Sequence, residues 1–81
     1  MDAVITLRLF AQARESAGTK SVDVAGETVG DVLDEAVRRF GEPFAAVLAG
    51  SKVWLNGSPA ERQSSVVSGD EVAVLPPVSG G

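Results

Sequence analysis

The residues that could do chemistry in this chain stand at its end, where Val78-Ser79-Gly80-Gly81 follows Pro76-Pro77. A glycine pair has no Cβ, so such a tip can enter a narrow channel and present its carboxylate to another protein's catalytic groups. Fully extended, Pro76 to Gly81 reaches roughly 20 Å at about 3.3 Å per residue. The two prolines hold the base of this tail near polyproline II geometry and lower the entropy lost on threading. Read alone, the glycine pair is equally consistent with an ordinary frayed terminus.

Elsewhere the inventory excludes more than it offers. The sequence has no His, Cys or Tyr, which removes the usual general base, the thiolate nucleophile and most soft metal ligands, so no metal site is expected. Asp70-Glu71 reads as a solvated turn, not a metal pair, and Arg14-Glu15 as a surface ion pair of small worth unless Arg14 meets a partner. Gly80-Gly81 cannot cradle phosphate, because no helix follows it. Seven Lys and Arg against eleven Asp and Glu give a net charge of −4, which argues against a nucleic-acid partner. By charge alone, a basic protein partner and simple solubility are equally good readings. Met1-Asp2-Ala3 lacks the basic and apolar stretches of a signal peptide, and no segment has the length of a membrane span, so a cytoplasmic protein with no membrane partner is expected.

Eighty-one residues, 44% of them apolar and 22% charged, suffice for one globular domain with one core. Ala3 to Ala11 alternates through Ile5, Leu7 and Leu9, predicting a strand. Gln12 to Thr19 is polar and reads as a connection into a second strand around Val22 and Val24, in a hairpin with the first. Thr28 with Asp31 three residues on approximates a capping box. Val29, Val32, Leu33, Ala36, Val37 and Phe40 then draw one helical stripe, which Gly41 and Pro43 end, with Arg38-Arg39 placed to favour the negative end of the helix dipole. Phe44 to Leu48 predicts a short extra turn of helix, ended by Gly50-Ser51. Lys52 to Asn56 predicts a third strand before an Asn56-Gly57 turn, and Glu71 to Leu75 a last strand stopped by proline; Ser58 to Ser68 is weakly patterned. This order predicts an α+β chain of the β-grasp, ubiquitin-like kind: a mixed sheet, one main helix across it, residues 1–76 as the domain and 77–81 as a free tail.

Phe10, Leu75 and Trp54 fall on the outward side of their strands, beside Arg8, Ala73 and Lys52 respectively. Outward apolar residues near a tail suggest a docking patch, although single exposed apolar residues are also ordinary. The run Gly69-Asp70-Glu71-Val72-Ala73-Val74-Leu75-Pro76-Pro77-Val78-Ser79-Gly80-Gly81 closely resembles the C-terminal signature of the MoaD family, the small subunits of molybdopterin synthase, and more distantly that of the ThiS sulfur carriers. Phe10-Ala11-Gln12-Ala13-Arg14-Glu15 with Gly18 resembles the family's first-strand signature, and Asn56-Gly57 sits where the family also turns.

That resemblance implies a β-grasp fold and a protein that is not an enzyme on its own. The Gly81 carboxylate would be adenylylated by an E1-like (MoeB-like) partner using ATP and Mg²⁺. A rhodanese or cysteine desulfurase would supply the sulfur that makes it a thiocarboxylate. A MoaE-like large subunit, in a heterotetramer, would pass that sulfur to cyclic pyranopterin monophosphate. The resemblance also implies that Phe10 and Leu75 touch the large subunit, with Arg14 as a polar companion. Pro59 departs from the larger apolar residue of some relatives. A ubiquitin-like modifier joined through Gly81 to lysines, a carrier serving thiazole or cysteine synthesis, and a plain interaction domain are the alternatives.

Overall fold

The computed structural model describes residues 3–77. Its elements in order are β1 (Ala3–Leu9), α1 (Ala11–Ala17), β2 (Ser21–Gly26), α2 (Val29–Phe40), α3 (Glu42–Ala49), β3 (Lys52–Leu55), β4 (Ser58–Pro59) and β5 (Glu71–Leu75). They make one five-stranded sheet in the order β2-β1-β5-β3-β4, in which β1 and β5 run parallel and the other neighbours antiparallel. With helices on one face only, this is the β-grasp arrangement that the pattern predicted.

Period-two alternation decides the two faces. Ile5, Leu7 and Leu9 on β1 and Val72 and Val74 on β5 point inward and are buried, as is Val24 on β2. The predicted stripe of α2 covers them, with Val29, Val32, Leu33 and Ala36 buried. Thr28 caps that helix, its hydroxyl accepting from the Asp31 amide at 3.1 Å. The return bond differs from a regular capping box, because the Asp31 carboxylate accepts from the amide of Glu27, not Thr28. At the other end both Arg38 and Arg39 fold back onto Glu35, and Arg39 also donates to the carbonyl of Asp23 on β2 at 3.0 Å. Those arginines are therefore engaged by a carboxylate as well as placed at the helix end.

Two expectations need correction. The segment read as a polar connection, Gln12 to Thr19, is mostly α1, and β1 stops at Leu9, not Ala11. Its residues are good helix formers but bury only the small Ala13, so no apolar stripe announces them. Gly18, left-handed at φ 77°, ends the helix with its amide on the Arg14 carbonyl. Strands β1 and β2 are thus paired across a helical excursion, not a tight hairpin. The extra turn at Phe44 to Leu48 is a full helix, α3, because Pro43 starts it as well as ending α2. Phe44 is wholly buried and meets Phe40 edge to face with ring centroids 5.3 Å apart. The sheet is therefore covered by α2, the main helix that was expected, together with two shorter helices. The weakly patterned stretch from Ser58 to Ser68 supplies β4, an isolated bridge from Ser65 to Thr28 and the buried Val66.

Candidate docking surface and the base of the tail

The outer face of the sheet gathers what the strand pattern spread along the sequence. Arg8 pairs with Ala73, which pairs with Trp54, which pairs with Pro59, so these four stand side by side across four strands. The neighbouring row brings Leu75 against Lys52. A hollow of about 250 Å³ opens across this face, lined by Phe10, Trp54, Gly57, Glu71, Ala73 and Leu75. Phe10 is 38% and Leu75 36% exposed, so two large apolar side chains border water around it.

Phe10 is held on both sides. Its amide donates to the Val74 carbonyl on β5, and its own carbonyl accepts from the amides of Ala13 and Arg14 at the start of α1. Ala11, at φ 49°, makes the left-handed turn that leads from strand to helix just after the ring. The Arg8 guanidinium lies 5.6 Å from the centre of the Phe10 ring and 3.5 Å from the Glu71 carboxylate. On the far side, Asn56 and Gly57 both have positive φ, as a tight β3–β4 turn requires. The Asn56 side chain accepts from the Glu71 amide at 2.9 Å and donates to Asp70 at 3.0 Å, tying that turn to the start of β5. The Val67 amide, and then Asn56, hold the Asp70 carboxyl below its ordinary range. Asp70 and Glu71 are thus occupied by a turn and an ion pair. No cluster of three His, Cys, Asp or Glu among the described residues could hold a metal.

Leu75 ends β5, Pro76 is buried and Pro77 is exposed, so the chain leaves the sheet from a fixed point beside the hollow. Val78, Ser79, Gly80 and Gly81 lie outside the described residues. Arg14 is exposed on α1 and does not line the hollow; Arg8 is the cation beside Phe10. Pro59 sits on the two-residue edge strand opposite Trp54, where its missing N–H costs no ladder bond. Gly57 and Ala73 line the hollow although neither was expected to belong to a docking patch. Strand alternation with Leu75 puts Ala73 on this face, while Gly57 arrives only through the turn. No helix of the described residues is long and apolar enough to cross a membrane.

Known proteins share both fold and sequence with this chain. The family model described as the ThiS family matches residues 7–81. Small archaeal modifier protein 1 of Haloferax volcanii is 40% identical over 91% of this chain and 97% of its own length. The molybdopterin synthase sulfur carrier subunit of Haemophilus influenzae is 30% identical over 96% of this chain and 100% of its own. The solution structure of small archaeal modifier protein 1 from Methanosarcina acetivorans superposes with a TM-score of 0.89 at 27% identity, covering 100% of this chain and 99% of that one.

Proposed function

The chain belongs to the ThiS family of ubiquitin-like carriers and modifiers, and we propose that it carries sulfur for molybdopterin synthesis as a thiocarboxylate on Gly81. One observation supports this reading above the others: Phe10 and Leu75 border an apolar hollow directly beside the point where the chain runs into its Gly-Gly end. A docking surface at the root of a thin tail delivers the terminal carboxylate into a partner while the domain stays outside. Because the chain has no Cys and no His, the catalytic groups belong to those partners. An E1-like enzyme uses ATP and Mg²⁺ to make the carboxylate an acyl-adenylate, releasing pyrophosphate; a donor's persulfide then displaces AMP, and a second thiol reduces the resulting acyl disulfide to leave the thiocarboxylate. A MoaE-like large subunit then takes the tail and transfers that sulfur to the pterin. A relative named as a carrier subunit is consistent with such a second chain.

A second reading rests on the relative named as a modifier, in which Gly81 is joined to lysine side chains. Both readings share the adenylate, so the product separates them. Intact mass after incubation with the host's E1-like enzyme, ATP and a sulfur donor should rise by the difference between sulfur and oxygen, and not when Gly81 is deleted. Lysine-linked adducts without that species would establish the modifier instead.

A further inference from the structure

A second hollow, of about 290 Å³, opens on the same outer face and is lined by Thr6, Arg8, Lys20, Ser21 and Glu71. Glu71 borders both hollows, and Arg8 reaches from this one to the Phe10 ring, so the polar hollow continues the apolar one. Its side chains are two cations, two hydroxyls and one carboxylate. The carboxylate is already shared with Arg8 at 3.5 Å, and with side chains 50% and 44% exposed that pair is weak and easily exchanged. Among the described residues Lys20 makes no ion pair, and the hydroxyls of Thr6 and Ser21 have no hydrogen-bond partner. Donors therefore outnumber acceptors, which suits an anion.

We infer that this hollow receives an acidic side chain of the E1-like partner, which must take the same tail and so shares the Phe10 and Leu75 surface that the resemblance gives to the large subunit. The inference rests on the docking reading proposed above. A protein carboxylate is favoured over a free anion because the hollow is continuous with the apolar surface and open to it. Once the partner covers both, its carboxylate and the two cations lose water together, where such a contact gains strength. Net charge alone fitted a basic partner and simple solubility equally well. Three of the eleven acidic residues lie on α2, where Asp34 is paired with Arg62 and Glu35 with Arg38 and Arg39, away from this face. The local surface decides which partner charge fits.

The test is the affinity of the full chain for its host's E1-like enzyme at low and high salt. Lys20→Glu should weaken binding by about tenfold and flatten its salt dependence, while Lys20→Arg should bind as the parent does. Glu71→Gln should tighten binding, since it frees Arg8, a gain that a merely structural role would not give. Circular dichroism checks that each surface variant is folded. If Lys20→Glu and Glu71→Gln bind like the parent while Phe10→Ala is weakened, the hollow is not a contact and the inference fails alone. If Phe10→Ala is also unchanged, the docking reading fails and carries the inference with it.

Discussion

The two faces of one sheet are built from alternate residues of the same strands, yet they meet different demands. Inward, Ile5, Leu7, Leu9, Val72 and Val74 are sealed under α2 with at most 2% exposure. Outward, Thr6, Arg8, Phe10, Glu71, Ala73 and Leu75 stay in reach of solvent. Period two lets a chain of 81 residues give one set of side chains to stability and the set between them to a partner. Substitutions on one face should therefore leave the other's property alone.

Phe44→Ala probes the inner side most severely. It empties a fully buried site against Phe40 and should cost about 3–5 kcal/mol in denaturant unfolding. Partner affinity should be kept wherever the variant remains folded. The mirror experiment is Phe10→Ala, for which we expect a loss of about 1–2 kcal/mol in affinity for the E1-like partner and under about 0.5 kcal/mol in stability. Equal losses in both properties would erase the distinction between the faces.

Smaller effects sharpen it. Thr28→Ala removes the cap of α2 and should lower stability by about 1 kcal/mol, with no change in binding. The acid limb of stability supplies the finest test. Hydrogen bonds from Arg38 and then Arg39 hold the Glu35 carboxyl at about 2, below its ordinary 4.5. A carboxyl depressed on folding stabilises above its unfolded value, and that contribution is lost as pH falls from 4.5 through about 2. Glu35→Gln should therefore lower the thermal midpoint slightly at neutral pH and shallow its fall across this window. The exposure of these side chains makes this the smallest of the effects.

How much of this was legible depended on side-chain size. Helix α2 could be read because Val29, Val32, Leu33 and Ala36 repeat with its period, and β1 and β5 because Leu7 and Val72 alternate with polar neighbours. Helix α1 could not, because its one buried residue is an alanine and its backbone is set by Ala11 and Gly18 at either end. The docking residues Phe10, Leu75 and Trp54 were readable as outward apolar residues on strands, and parallel pairing of β1 with β5 brings the first two to one place. Arg8 was visible only as an outward neighbour; its position over the Phe10 ring depends on a turn that no spacing encodes. Gly57 borders the hollow because β3 folds back there, a matter of tertiary register.

The division of labour between the faces is tested most directly by amide chemical-shift mapping of the full chain during titration with its E1-like partner. The largest changes are expected at Phe10, Trp54, Ala73 and Leu75 and, past the two prolines that have no amide proton, at residues 78–81, with α2 and α3 unmoved. Changes centred on α2, with the outer face of the sheet silent, would contradict it.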